Sequence, residues 1–133
     1  MRKHDFTAKP RILIADAVHD LTDVYGFLFT AAGYRVLRAY DGLTAAALAK
    51  VVRPEIALVS EHLPGLTGLG VLRELRGAGA GTKFVITSAL DGFAELAARA
   101  RADGAEFCVR QPCPADRLLR MVSALRATSA RGS

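Results

Sequence analysis

Pro54-Glu55-Ile56-Ala57-Leu58-Val59-Ser60 (residues 54–60) is the stretch that decides the fold. Pro54 ends whatever helix precedes it, because the residue before a proline is pushed out of the α region. Ile56 to Val59 then run without a polar interruption. A strand wet on one side alternates apolar with polar residues, whereas an unbroken run marks a strand buried on both faces, as in parallel sheets. Ile12-Leu13-Ile14-Ala15, Phe84-Val85-Ile86 and Phe107-Cys108-Val109 have the same character. A fifth run, Val36-Leu37, lies within Tyr34-Arg35-Val36-Leu37-Arg38-Ala39-Tyr40, whose charges suit a sheet edge.

Helical patterns fill the gaps. The first is expected over Asp20 to Ala32, with Leu21, Val24, Leu28 and Ala31 inward, His19 before it and Gly33 as its stop. An Ala-rich second helix covers Thr44 to Val52. The third spans Gly68 to Arg76, turns Leu72 and Leu75 inward, and gives way to Gly77-Ala78-Gly79-Ala80-Gly81. The fourth starts after Asp91, its expected N-cap, and carries Phe93, Leu96 and Ala97. The fifth has Pro114 in its first turn and Leu118, Val122 and Leu125 on one face.

Five strand–helix repeats predict an α/β domain of three layers. The parallel sheet is doubly wound and flavodoxin-like, with strand order 2-1-3-4-5 and right-handed crossovers. Its site should lie at the carboxyl ends of the first and third strands. The domain is expected to cover 11–127, between flexible segments at 1–10 and 128–133.

Length and composition agree. The 133 residues suit one domain, and 51% apolar residues can build a core. No apolar run approaches the roughly 20 residues of a membrane span, and MRKHDFTAKP is not followed by a signal-peptide core. Cys108 and Cys113 lack CxxC spacing and a second ligand pair, so they read as small semi-buried groups of a cytoplasmic protein. The net charge of +5 raises the question of nucleic acid. However, Arg117, Arg120 and Arg126 are interleaved with Leu118, Leu119 and Val122, and no zinc-finger or basic-zipper spacing accompanies them. A solvated basic face or an acidic protein partner is the favoured reading.

Asp16-Ala17, Ser60, Thr87-Ser88-Ala89 and Gln111-Pro112 fall at the carboxyl ends of the strands. Around them the sequence resembles the receiver family of two-component signalling. Arg11 to Asp16 is similar to its first strand, Gly33-Tyr34-Arg35-Val36 to its second-strand entry, and Asp41-Gly42 to the turn that follows. Pro54 to Val59 is similar to its third strand, and Leu63-Pro64-Gly65-Leu66-Thr67-Gly68 to the loop after the phosphoacceptor. Gly104-Ala105 and Pro112 complete the pattern, which covers residues 11–127.

The resemblance implies a pocket in which two adjacent acids and a third-strand aspartate hold Mg²⁺. That aspartate accepts the phosphoryl group, while a Ser or Thr and a Lys hold the phosphoryl oxygens. This chain departs at three positions. Asp16 keeps the first acid, but Ala17 fills the second, Ser60 stands at the phosphoacceptor and Gln111 at the lysine; Ser88 keeps the hydroxyl. Cys108, beside Phe107, fills the aromatic switch position. One carboxylate should hold Mg²⁺ weakly or not at all, so Asp16 is at most a weak metal ligand and no other cofactor is expected. An unassisted Ser60 hydroxyl is no nucleophile for phosphoryl transfer. With two acids gone, a buried lysine would lose its partners, and a neutral Gln111 is consistent with that loss.

These residues then form a vestigial pocket, in a degenerate receiver that acts by protein–protein interaction rather than catalysis. The resemblance further implies a cis peptide before Pro112 and a contact face of the fourth helix, fifth strand and fifth helix, including Arg101, Cys108, Arg110, Arg117 and Arg120. Partners would be a histidine kinase, an output protein, another regulator or a second copy, without nucleic acid or membrane. Two alternatives remain: a conventional phosphorelay regulator with a modified pocket, and a hydrolase built on Ser60, His62 and Asp16. Against the hydrolase, Ser60 lacks a G-x-S-x-G elbow and His62 is only two residues away. Glu61 does not replace the missing acid, because in an extended chain it points away from Ser60.

Overall fold

A computed structural model describes residues 9–89 and 91–132, with side chains described to residue 127. Five strands, β1 (Arg11–Ala15), β2 (Arg35–Ala39), β3 (Ile56–Ser60), β4 (Lys83–Ser88) and β5 (Phe107–Arg110), alternate with five helices. These are α1 (His19–Ala31), α2 (Gly42–Val52), α3 (Gly68–Gly77), α4 (Phe93–Ala102) and α5 (Ala115–Gly132). All strand pairs are parallel, in the order β2-β1-β3-β4-β5. The expected topology is therefore the observed one, with the charged β2 at an edge.

Strand alternation divides the core between two faces. Leu13, Ala15, Ala57, Val59, Phe84 and Ile86 pack with Ala45, Ala49, Leu72 and Leu75 of α2 and α3. Ile12, Ile14, Leu58 and Val85 pack with Tyr25 and Phe29 of α1 and with Leu118 and Val122 of α5. Every residue of β3 is buried, as its unbroken apolar run requires.

Several local expectations need correction. α1 begins one residue early, so His19 belongs to the helix, where its ring stacks on Tyr40 with centroids 3.9 Å apart. Its buried residues are Thr22, Tyr25, Gly26 and Phe29 rather than the Val24 stripe; Val24 is 57% exposed. The two aromatic rings bury more area than the aliphatic residues beside them, and they set the rotation of the helix. Asp91 does not cap α4: Gly92, in the left-handed region, occupies that place. α5 is helical to Gly132. The expected flexible segment at 1–10 lies outside the described residues except for Lys9 and Pro10.

The turn into α3 positions one wall of the site. Thr67 Oγ1 accepts the Gly70 N–H at 3.1 Å, satisfying a free donor of the first turn. Gly68 is needed because a Cβ there would lie 2.6 Å from the Ser60 carbonyl oxygen. Thr67→Ala is expected to cost about 1 kcal/mol, read as a lower urea midpoint, with Thr67→Ser retaining most of the stability.

Candidate functional site

At the carboxyl ends of β1 and β3 a cavity of ≈ 310 Å³ is lined by Asp16, Ala17, Ser60, His62, Ala89 and Gln111, among others. The structure thus brings together Asp16, Ala17, Ser60 and Gln111, while Ser88 lines an adjoining hollow with Glu61 and His62.

Asp16 leaves β1 directly. Its N–H donates to the Ala39 carbonyl at 3.1 Å, and its own carbonyl accepts the Thr22 hydroxyl at 3.1 Å. Its carboxylate, on a residue only 7% exposed, accepts the Val18 N–H at 2.9 Å. The side chain is therefore fastened to the loop that enters α1.

Ser60 is 5% exposed, and its Oγ accepts the backbone N–H of His62 at 3.1 Å. The His62 ring turns elsewhere: Nε2 lies 2.9 Å from Ser88 Oγ. This contact was not legible in the sequence, because it depends on how two loops 26 residues apart face each other. It also removes the imidazole that a Ser60 nucleophile would need. Glu61 points away, its Oε1 accepting the Leu69 N–H at the start of α3 at 2.8 Å.

Gln111 holds the opposite wall. Its N–H donates to the Ser88 carbonyl at 2.9 Å, and its side chain hydrogen-bonds the Tyr25 hydroxyl. Burial pushes the Tyr25 phenol above its ordinary pKa, against the Gln111 bond, which lowers it. The phenol is therefore a neutral partner at any ordinary pH. The Gln111–Pro112 peptide is cis.

Beyond this cavity, the Arg110 guanidinium lies 4.7 Å over the Phe93 ring, tying β5 to α4. Cys108 and Arg101 border a hollow of ≈ 140 Å³ beside Phe107. Burial, followed by the nearby Glu61 charge, raises the Cys108 pKa, which keeps the thiol protonated and unreactive. Arg117 is exposed, and Arg120 pairs with Asp116 one turn earlier at 3.1 Å.

Residues 12–123 match the response regulator receiver domain. The chain belongs to that family. Over 119 residues this receiver is 32% identical to the response regulator MprA of Mycobacterium tuberculosis, covering 89% of this chain and 51% of that protein. The chain thus spans about half the length of the curated relatives it matches. The receiver domain of Francisella response regulator 1452 superimposes with a TM-score of 0.84 at 25% identity, covering 91% of this chain and 99% of that one. A CheY-like receiver from Methanospirillum hungatei gives 0.85 at 21% identity, covering 92% and 98%, a likeness of fold.

Receivers of this family imply Mg²⁺, and the donor chemistry here can be tested against it. Mg²⁺ demands a near-octahedral oxygen shell. The cavity offers one carboxylate, with an oxygen already accepting the Val18 N–H. Among the described residues no group of three or more His, Cys, Asp or Glu is placed to hold a metal. This donor set does not fit the ion.

Proposed function

We propose that this receiver domain works in two-component signalling through protein–protein contact, without aspartyl phosphorylation. The observation that carries the reading is the hydrogen bonding at the cavity. Position 60 offers a hydroxyl already engaged by the His62 N–H, and the Ser88 hydroxyl is engaged by the His62 ring. At position 60 a phosphoryl group would meet a hydroxyl in place of a carboxylate, and the one carboxylate of the cavity, Asp16, is fastened to the Val18 N–H. Such a group would also find no cation from Gln111 to offset its charge.

Such a domain sits in the cytoplasm and contacts a histidine kinase, an output protein or another regulator. The face of α4, β5 and α5 supplies Arg101, Cys108, Arg110, Arg117 and Arg120 for that contact. Without a phosphoryl switch, a partner shifts the domain only by its differential affinity for the domain's conformations. No described helix is long and apolar enough to cross a membrane.

Incubation with acetyl phosphate and Mg²⁺ tests the reading directly. The intact mass is expected to stay unchanged, while a conventional receiver run in parallel gains one phosphoryl group. A gain here that disappears on changing a pocket residue would establish the conventional phosphorelay instead.

A further inference from the structure

The cavity at the carboxyl ends of β1 and β3 sets a single buried charge against an apolar wall. Ala17, Val18 and Leu21, from the loop into α1 and its first turn, form that wall with Ala89, which follows β4. Asp16 is the one carboxylate among the lining residues, and no lysine or arginine accompanies it. Asp16 is 7% exposed, and among the described residues it forms no ion pair. A carboxylate withdrawn from water is costly unless a cation or several donors meet it. Here one backbone N–H, that of Val18, meets Oδ1. Oδ2 receives no donor from the described residues. No fully buried side-chain oxygen among them lacks a partner, so Oδ2 is open to the cavity that Asp16 lines.

Neighbouring charge has the same sign. Asp20 stands in the first turn of α1, where it offsets the positive end of the helix dipole. The adjoining hollow behind His62 holds Glu61, Asp91 and Glu95 against Arg99. Arg110 lies over the Phe93 ring and lines neither space. Although the whole chain has a net charge of +5, this end of the sheet favours a cation over an anion.

A divalent metal ion needs more oxygens than the cavity supplies. An alkylammonium needs fewer. Its three donors can be met by one carboxylate oxygen and by neutral acceptors, which Ser60 and Gln111 carry on the same cavity. Its carbon body gains by covering the alanine, valine and leucine side chains. The volume of ≈ 310 Å³ stands at the lower end of the roughly 300–1,000 Å³ of ligand pockets, so the body is one ring or a short chain.

We propose that this cavity binds a small organic monocation, a primary amine with an apolar body. The ammonium pairs with Asp16 Oδ2, and the carbon part lies against Ala17, Val18, Leu21 and Ala89. The proposal rests on the reading of the cavity as one that takes no phosphoryl group, and it gives that receiver an input. A ligand held between Asp16 after β1 and Gln111 after β5 biases whichever conformation brings the two loops together.

Backbone amide chemical shifts, followed during titration with phenethylamine at pH 7.5, test this; the amine is protonated there, as a lysine would be. Shifts at Ala17, Val18 and Gln111 should saturate with a dissociation constant of about 1 mM. Asp16→Asn keeps an oxygen for the Val18 N–H but loses the charge, and should weaken binding about tenfold or more. Phenethyl alcohol, alike in shape but uncharged, should bind the parent as poorly. Gln111→Lys, which tethers an ammonium inside the cavity, should displace the amine. Urea midpoints check that each variant is folded. Undiminished binding to Asp16→Asn, equal binding of the alcohol, shifts that ammonium chloride reproduces, or shifts that never saturate would each overturn the proposal. Intact mass after acetyl phosphate keeps the two readings apart. A phosphoryl gain defeats the reading beneath the proposal, whereas an unchanged mass with no amine bound defeats the proposal alone.

Discussion

Replacing Ser60 with aspartate is expected to lower the stability of the folded chain at neutral pH by roughly 3 kcal/mol. Ser60 is buried at 5% exposure and lines the same cavity as the Asp16 carboxylate. Gln111 supplies no cation there. A carboxyl placed at position 60 therefore loses water and gains a like-charged neighbour, and both effects raise its pKa. The sign follows from proton uptake. In the unfolded chain the new group ionises near 3.9; in the folded chain it does so higher. Above about pH 4 the folded state therefore holds a proton that the unfolded state has lost, and stability falls as pH rises towards the folded pKa. Below about pH 4 the penalty vanishes. Urea midpoints of parent and variant at pH 4 and pH 7.5 measure it, as a difference between the two pairs. A loss of equal size at both values would mean that the cost is steric and that the charge argument is wrong.

Adding Ala17→Asp to Ser60→Asp extends the test to the ion. Three carboxylates crowded at one end of the sheet should be less stable still in the absence of divalent cations. They would, however, supply the oxygen donors that the natural cavity lacks. An ion that binds only the folded state stabilises it by about 2.7 kcal/mol at a hundredfold excess over its dissociation constant. Millimolar Mg²⁺ should then raise the urea midpoint of the double variant while leaving the parent unchanged. A parent that responds equally would show that Asp16 alone suffices as an anchor, and the reading of this pocket as vestigial would fail.

The strands and their order were legible because burial on both faces leaves a mark that needs no partner to interpret. Ile56 to Val59 can lie nowhere but inside a sheet, and strand–helix alternation then restricts the winding. Asp16, Ser60 and Gln111 were located by the same logic, since strand ends fix where side chains gather. Their hydrogen-bond partners were not. Nothing in residue type says that the His62 ring chooses Ser88 over Ser60, or that Gln111 turns to Tyr25; these choices follow from loop paths set by tertiary packing. The N-cap of α4 was missed for a similar reason: Asp91 has the right chemistry, but the chain turns one residue later, at Gly92 with φ 81°.

The rotation of α1 is where sequence and structure differ most, and two alanine variants separate them. Phe29→Ala is expected to cost about 3–5 kcal/mol, and Val24→Ala to stay within about 0.5 kcal/mol of the parent. Apolar residues at 21, 24, 25, 27, 28 and 29 make two overlapping stripes, so periodicity alone allows either face to turn inward. In the structure Phe29 is fully buried and meets the Tyr34 ring edge-on at 5.3 Å, within the cluster of Ile12, Ile14, Leu118 and Val122. Truncation there removes the ring's transfer energy and leaves a void that its rigid neighbours fill poorly. Against a total stability of about 5–15 kcal/mol, the Phe29 variant should be marginally folded at 37 °C. Thermal melts of the two variants measure the contrast, and equal losses would mean that the Val24 stripe faces the sheet after all. The effect should also reach the cavity. Tyr25 lies one turn before Phe29 and hydrogen-bonds Gln111, so a loosened α1 should free the Gln111 loop. Amide exchange at Gln111, whose N–H donates to the Ser88 carbonyl, should then accelerate in Phe29→Ala well before the chain unfolds, and stay slow in Val24→Ala.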